Sequence, residues 1–280
     1  MSESRSSGAS ASTAETGRYL YCIVDIDSAE HDAGAVGTTG IDGEPVSVVT
    51  GSDASIGAVV HPRDGPYDST DLSDLREWLL AHQDVVEAAG ERFGTPLPVR
   101  FDTVLQGDDD GVAAWLDRNA TAIRDAFNWI EGCWEYRVTL FWDSTAFEAE
   151  QRTADSELVD IDRRLTESAD GKRFLLEKQF DQRLRELVRR RETALGDRLL
   201  DRLAEEGARV EERPVRSEMA DSLGVETKSD AVGQVAVLAA RDQENSLGAV
   251  LEEFMEEPGV EVRFTGPWPP YTFAPTITDD

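Results

Sequence analysis

Residues 262–273 read VRFTGPWPPYTF and combine a strand pattern with a rigid end. The first four residues alternate apolar and polar side chains, which is the period of a half-buried β-strand. Gly266 and three prolines follow, and each proline fixes φ and removes a backbone donor, so sheet pairing must end there. The stretch therefore predicts a last strand over residues 260–265, followed by an extended strip that carries Trp268 and Tyr271.

Upstream of this strand, the second half of the chain alternates between helix and strand patterns. Residues 153–206 are charge-rich and predicted to be helical, with Gly171 separating a short leading helix from a long one. The long helix carries an apolar stripe that includes Leu184 and Leu195. A shorter helix precedes Pro258. Strands are predicted between the long and the short helix over residues 209–212, 219–227 and 231–240.

The first half of the chain has the same kinds of element. An amphipathic helix starts after residues 69–71, whose side chains can cap it, and a second helix starts near Asp108. Between them, residues 96–105 alternate but contain prolines, which is typical of an edge strand or an irregular crossover. A strand over residues 133–142 closes this half. Earlier strands are predicted over residues 19–24, 45–49 and 56–60.

These patterns predict an α+β protein of two domains, each an antiparallel sheet with helices on one face. The expected domains are residues 18–145 and residues 146–274, the second including the helical segment. Residues 1–17 are small and polar, so they cannot bury enough surface to fold and are predicted to be a disordered tail. Residues 275–280 are predicted to be a disordered acidic tail.

The charge of the chain restricts its setting and its partners. The 57 acidic residues exceed the 28 basic residues, and the formal net charge is -29. Such a surface repels itself in dilute buffer, whereas concentrated salt screens the repulsion, so we expect a cytoplasmic protein of a salt-accumulating halophile. Nucleic acid and anionic membranes would be repelled, and no apolar run is long enough to span a bilayer. We expect neither as a partner.

The residue types used in catalysis do not form a recognisable pattern. His31, His61 and His82 have no metal-ligand or triad partner at a familiar spacing. Cys22 and Cys133 lie in apolar strand contexts without a CxxC motif, which favours small reduced core residues. We therefore expect no catalytic residue, no metal and no cofactor, and no enzymatic activity. An acidic enzyme that uses carboxylates on a divalent metal is the alternative from another class.

Several motifs in sequence order carry a resemblance to a known family. Residues 19–24 read YLYCIV, residues 97–105 read LPVRFDTVL, residues 134–138 read WEYRV and residues 265–273 read TGPWPPYTF. In this order they resemble the gas vesicle accessory protein L/F family, in its haloarchaeal form. The similarity extends over residues 18–274. Asp102 occupies a position at which the family is expected to have glycine.

The resemblance implies a non-enzymatic accessory protein of gas vesicle assembly with a ferredoxin-like C-terminal domain that contains a long helical insertion. It implies contacts with the hydrophobic shell protein and with other accessory proteins, as chaperone, nucleator or scaffold. The expected location is the gas vesicle, and the cytoplasm during assembly. A minor structural component of the shell is the alternative role.

Three regions are candidate partner-binding sites. The rigid strip either packs on the protein's own core or contacts a partner, and the sequence leaves both possibilities open. The long helical stripe is an alternative site if its apolar face is not fully covered. The candidate residues are Gly266, Pro267, Trp268, Pro269, Pro270, Tyr271 and Phe273 in the strip, Arg100 and Phe101 in the central motif, and Leu184 and Leu195 in the stripe.

Overall fold

The structure is a computed structural model that describes residues 17–27, 36–168, 170–213 and 231–277. The described chain divides into two compact units. The first contains the residues up to Trp129 together with residues 275–277, and the second is Ile130–Ala274. Both units contain helices and an antiparallel sheet, so the predicted α+β class is confirmed.

The first unit has a sheet of five strands. They are β1 (Gly17–Asp25), β2 (Ser47–Thr50), β3 (Ile56–Pro62), β4 (Leu97–Pro98) and β5 (Val104–Gln106). The order is β2, β3, β1, β4, and β5 also pairs with β1; all pairs are antiparallel. Its two long helices are α1 (Leu72–Phe93) and α2 (Asp109–Ile130).

Helix α1 begins where its sequence predicts, but it continues through Gly90, the predicted end, as far as Phe93. The Asp71 carboxylate accepts a hydrogen bond from the Ser73 backbone N–H at 2.9 Å, which satisfies one of the free donors of the first turn. Gly94, at φ +81°, ends the helix in a conformation that other residues avoid. The residues of α1 that face the interior recur at helical spacing and are buried: His82, Val85, Val86, Ala89, Gly90 and Phe93.

The second unit has four strands and four helices among the described residues. They are β6 (Cys133–Trp142), α3 (Thr145–Ala154), α4 (Ser156–Glu167), α5 (Asp170–Glu205), β7 (Arg209–Arg213), β8 (Ala231–Ala240), α6 (Glu244–Met255) and β9 (Val260–Trp268). The sheet order is β7, β8, β6, β9, with antiparallel neighbours. Apart from α3 and α4, the sequence of elements is strand, helix, strand, strand, helix, strand. This sequence is compatible with the predicted ferredoxin-like domain and its helical insertion.

One face of this sheet forms the core of the second unit. Every second residue of β6 points to it, as the period of a strand requires. Helices α5 and α6 cover this face with their apolar stripes, so these two helices lie on one side of the sheet, as predicted. The core contains Trp134, Tyr136, Val138, Leu140 and Trp142 of β6, Leu195, Leu199 and Leu203 of α5, and Leu247, Val250, Leu251 and Phe254 of α6.

The strand over residues 133–142 belongs to the second sheet, so its assignment to the first half needs correction. β6 is the central strand of that sheet, because it pairs with β8 along nearly its whole length and with β9 on its other side. The two units therefore meet in sequence between Trp129 and Ile130, not after residue 145. An alternating pattern predicts a strand, but it does not show which sheet the strand joins.

The remaining sequence predictions are confirmed, corrected, or fall outside the described residues. The proline-containing stretch at residues 96–105 forms the short strands β4 and β5 with a turn between them, as expected for an irregular crossover. The predicted division of the helical segment at Gly171 lies close to the observed one, because α4 ends at Glu167 and α5 starts at Asp170 and continues for 36 residues. Gly17 lies in β1 and not in a tail. The predicted strand over residues 219–227, His31, and the tails at residues 1–16 and 278–280 lie outside the described residues.

Candidate partner-binding site

Residues 266–273, here called the strap, comprise the last three residues of strand β9 and the five residues that follow it. β9 runs beyond the predicted end to Trp268, which pairs with Glu135 after an irregularity in the ladder. The bond between Gly266 and Pro267 is cis. Gly266 has φ +131°, and a Cβ there would lie 2.8 Å from the Glu135 carbonyl oxygen. Only glycine fits this close approach between the strap and β6.

The strap is held by a buried carboxylate. The Glu135 side chain is 0% exposed. Its Oε2 accepts a hydrogen bond from the Thr272 backbone N–H at 2.7 Å, and its Oε1 accepts one from Thr272 Oγ1 at 3.1 Å. Arg137 Nε lies 3.0 Å and Arg213 Nη1 lies 3.7 Å from Oε1. A buried carboxylate is tolerated only when it is paired and hydrogen-bonded, and here both conditions are met.

Sequence reasoning missed Glu135. The residue lies in the alternating motif of β6, on the side opposite Trp134 and Tyr136, and such a side normally faces solvent. The strap returns over this side at Glu135 and buries it, whereas Arg137 on the same side stays exposed. The sequence signal for the burial of Glu135 is the strap, because a rigid segment that follows an edge strand can fold back over the sheet. Burial also lowers the pKa of Arg213 below its usual value.

The strap packs on its own unit and leaves its two large aromatic side chains partly accessible. Pro269, Pro270 and Phe273 are buried, whereas Trp268 and Tyr271 are half-buried. Its backbone closes tight turns, with the Tyr271 N–H donating to the Pro269 carbonyl at 2.8 Å. Trp268 Nε1 and Tyr271 Oη are themselves buried, so the two rings are accessible only in part. Contact of the strap with a partner stays a prediction.

The central motif lies in the first unit, in the turn between β4 and β5. Arg100 is exposed, and Phe101 is half-buried, with its ring centroid 5.9 Å from that of His82. Asp102 adopts φ +69°, the left-handed conformation that glycine takes easily. Its Oδ1 accepts a hydrogen bond from the Tyr67 N–H at 2.7 Å, which a glycine would not supply. Residue 102 thus adopts the left-handed conformation although it is aspartate and not glycine.

Buried histidines and tyrosines surround this turn, and we call them the histidine–tyrosine cluster: Tyr19, Tyr21, His61, Tyr67 and His82. Tyr19 Oη lies 2.9 Å from His82 Nδ1 and accepts a hydrogen bond from the Asp102 N–H at 3.1 Å. Tyr67 Oη lies 3.2 Å from His61 Nε2. Burial disfavours the charged forms, so it lowers the pKa of His61 and of His82 to about 4 and raises the pKa of Tyr67 to about 12.

The cluster holds the turn in place and does not form an open site. The rings stack or meet edge to face, with centroids of Tyr19 and His61 5.0 Å apart. Both histidines are buried, so neither meets solvent in this structure. Tyr21 Oη accepts a hydrogen bond from the Ile41 N–H at 2.8 Å, which ties the segment before β2 to the same cluster. Its chemistry is that of a neutral hydrogen-bonded core.

The apolar stripe of α5 is covered within the second unit. Leu195 is 1% exposed and lies in the core under the sheet. Leu184 is buried as well, and α4 runs beside this part of α5, with Arg183 paired to Asp155 at 2.8 Å. Because the stripe already buries its apolar face, Leu184 and Leu195 present no surface to a partner in this structure.

Within the described ranges, no group of three or more histidine, cysteine, aspartate or glutamate residues is placed to hold a metal ion. None of the described helices is both long and apolar enough to cross a bilayer.

Comparison with known proteins gives consistent matches over nearly the whole chain. The family model described as gas vesicle synthesis protein GvpL/GvpF matches residues 17–275. Gas vesicle protein L1 of Halobacterium salinarum is 45% identical over 265 residues, which covers 95% of this chain and 92% of the relative. Gas vesicle protein L of Haloferax mediterranei is 38% identical, with coverage of 95% and 89%.

A solved structure supports the fold. The crystal structure of the gas vesicle protein GvpF from Anabaena sp. PCC7120 matches with a TM-score of 0.71 and 20% identity, covering 94% of this chain and 100% of that one. At this identity the match is evidence for the fold alone.

Proposed function

The chain belongs to the GvpL/GvpF family of gas vesicle synthesis proteins, and from that premise we propose that it binds the hydrophobic shell protein during vesicle assembly. In this role it acts as a chaperone, nucleator or scaffold for shell subunits and contacts other accessory proteins. A free shell subunit exposes apolar surface and tends to aggregate. A partner with a net charge of -29 keeps such a complex hydrated and soluble.

The observation that carries the proposal is the open edge of β9. This strand has nine residues, and among the described residues only β6 pairs with it. An edge strand presents a row of unpaired N–H and C=O groups, which can bind a further strand. An extended segment of the shell protein can therefore add to the sheet through main-chain hydrogen bonds, a common mode of peptide recognition.

The strap supports the same assignment because it lies where such a segment would end. Pro267 has no backbone donor, so the edge available for pairing stops at the start of the strap. Trp268 and Tyr271 follow at once, half-buried and fixed on the sheet by Glu135. Aromatic side chains held in a rigid backbone lose little entropy when they contact a partner. They provide an apolar anchor beside the edge.

A binding measurement tests the proposed contact. Tagged shell protein is co-produced in molar KCl with the wild-type chain or with a Trp268→Ala/Tyr271→Ala variant, and retained chain is quantified. We expect the variant to bind at least about tenfold less shell protein, since buried aromatic anchors contribute most to such interfaces. Trp129→Ala is the matched control, because Trp129 is an exposed tryptophan of the first unit. If the double variant is retained on the shell protein as well as the wild type is, and its melting temperature is unchanged, the strap is not the contact.

Experiments in cells distinguish an assembly role from a place in the shell. The gene for this chain is removed from a vesicle-producing gene set and restored as wild type or as the Trp268→Ala/Tyr271→Ala variant, and vesicles are counted by electron microscopy. An assembly role predicts few vesicles without the chain and no stoichiometric amount of it on washed vesicles. Full vesicle formation without the chain would remove the proposal, and stoichiometric retention on washed vesicles would favour a minor shell component.

A further inference from the structure

Strand β9 directs a definite set of backbone groups to its free edge. Bonded and non-bonded residue pairs alternate along an antiparallel ladder. The Asp143 N–H donates to the Gly259 carbonyl at 2.9 Å, so the pair that precedes Trp142 and Val260 in the ladder is a bonded one. The residues of β9 that bond to β6 are therefore those two, four and six positions after Gly259: Glu261, Arg263 and Thr265.

The backbone groups of Val262 and Phe264 point the other way, out of the edge of the sheet. Within the described ranges, no backbone hydrogen bond reaches them. Their side chains lie on the helix face of the sheet, where they pack against the core and remain half-buried. The Phe264 ring stacks on that of Tyr136, with centroids 5.3 Å apart. Each free backbone position thus coincides with an apolar side chain whose packing is incomplete.

Helix α6 leaves open space beside this edge. α6 packs on β9, whereas α5 packs on β7 and β8, so the side of α6 away from α5 lies toward the free edge of β9. Glu253 faces α5, because its carboxylate pairs with Arg202 at 3.0 Å. Met255 lies two residues further on, about 200° around the helix, and is 49% exposed. Gly248 precedes Met255 by seven residues and shares its side, and no other part of the chain comes within 4 Å of where its Cβ would lie.

The edge of β9 and this side of α6 together form a notch, which we call the β9 notch: Gly248, Met255, Val262 and Phe264. Directly opposite residues of neighbouring strands place their side chains on the same face of a sheet. A strand added to β9 would therefore place every second side chain in the β9 notch. The side chains between them would lie on the other face, beside the exposed residues of β9: Glu261, Arg263 and Thr265.

We infer that the β9 notch selects an antiparallel strand with apolar side chains opposite Val262 and Phe264 and a polar side chain between them. The inference rests on the proposed edge contact and specifies the segment that makes it. The free backbone groups determine that the occupant is a strand, because a helix uses its own N–H and C=O groups internally. All neighbours in this sheet are antiparallel, and in that arrangement one residue exchanges both hydrogen bonds with the residue opposite.

Short synthetic peptides test this selection without the shell protein. One has eight residues that alternate valine and threonine, and the second has the same composition with its four valines consecutive. Both have blocked termini, and binding is measured by fluorescence anisotropy in molar KCl, where the charge of the chain is screened. We expect the alternating peptide to bind at least about fivefold more tightly, because only this peptide can place apolar side chains at every second position.

Methylation of the peptide nitrogens tests the register. In the inferred arrangement the valine N–H groups bond to β9, and the threonine N–H groups point away from it. N-methylation of the two central valines should therefore weaken binding about tenfold or more, since it removes two hydrogen bonds. The same change at the two central threonines should leave binding within about twofold of the unmethylated peptide.

Met255→Asp locates the site. The substitution places a carboxylate beside the apolar side chains of the bound strand, so it should weaken binding of the alternating peptide several-fold. Val159→Asp is the matched control, because Val159 is a 45% exposed residue of α4 in the same unit and the change adds the same charge. Both positions are exposed, so neither melting temperature should change appreciably.

The results decide this inference separately from the proposed function. Preference for the alternating peptide, lost on valine methylation and in Met255→Asp, supports it. Equal binding of the two peptides, binding of neither, greater loss on threonine methylation, or equal binding by the Met255→Asp and Val159→Asp proteins overturns it. If the shell protein binds through β9 while the peptides fail, the proposed function stands without this inference. If the peptides bind as expected and the shell protein does not, the β9 notch serves a different client.

Discussion

The two units each bury a polar side chain to fix a motif, but they do so with opposite chemistry. In the first unit, neutral tyrosine and histidine side chains hold the turn at Asp102. In the second, the carboxylate of Glu135 holds the strap, opposite two guanidinium groups. A neutral network is damaged when it gains charge, whereas a charged anchor is damaged when it loses its charge or its partner. The units should therefore respond differently to acid and to mutation.

Mild acid should produce the largest difference. The pKa of His61 and of His82 is about 4 in the folded protein, against 6.5 for an ordinary histidine. Stability is therefore fully present above pH 6.5 and is lost as the pH falls toward 4, because the unfolded state binds protons first. At pH 5 the loss is about 2 kcal/mol for each histidine.

Hydrogen exchange in molar KCl at pH 7 and pH 5 measures this loss unit by unit. All three histidines of the sequence precede residue 83, so amides of β1 and β3 should lose protection while those of β6 and β8 retain it. His61→Gln should reduce the dependence on pH. Equal loss of protection in both units would contradict the assignment to the histidines.

Removing the charged anchor should have the next largest effect, and it should be confined to the second unit. Glu135→Ala leaves Arg137 and Arg213 without their carboxylate and the Thr272 N–H without its acceptor. We expect a loss of about 3 kcal/mol in the free energy of unfolding. Unfolding in guanidinium chloride measures this loss of free energy, and hydrogen exchange of the strap amides shows whether it arises at the strap. Glu135→Gln, which keeps an acceptor, should lose about half as much.

Glu261→Ala is the control for this prediction, since Glu261 is an exposed glutamate on β9 of the same sheet. Its effect should stay within about 0.5 kcal/mol. A Glu135→Ala protein as stable as this control would show that the strap is held by its apolar contacts instead.

The turn of the first unit should respond to substitution by a smaller amount. Asp102→Ala removes the acceptor for the Tyr67 N–H. It also leaves at φ +69° a side chain that cannot form local hydrogen bonds. We expect it to cost about 2 kcal/mol, from about 1 for the hydrogen bond and about 1 for the backbone conformation. Asp102→Gly keeps the conformation and should cost only the first part. Denaturant midpoints of the two variants, compared with wild type, measure the difference; equal values would mean that the backbone is not strained.

The two buried anchors also show which features could be predicted from the sequence and which could not. The strand and helix periods predicted most of the secondary-structure elements, and the motifs at residues 97–105 and 265–273 indicated the family. The pairing of β6 with β8 and β9 could not be predicted, since it depends on contacts between residues about 100 apart in sequence. Glu135 looked like a solvent-facing residue because its burial comes from the strap, which returns from the other end of the unit. Asp102 was singled out only by the glycine expected at its position in the family, and the structure shows that aspartate keeps the left-handed conformation there.

The smallest effect on stability is expected at the edge of β9, where only binding should change. Arg263 and Thr265 are exposed on this strand, beside Glu261. Arg263→Glu/Thr265→Glu should change the free energy of unfolding by no more than about 0.5 kcal/mol, because the side chains are on the surface. Adjacent like charges resist the addition of a further strand, so shell-protein binding should fall several-fold. Arg209→Glu on β7, at the opposite edge of the sheet, is the control. If β7 and β9 variants lose shell binding equally, the effect belongs to the overall charge of the protein, and the edge of β9 is not the contact.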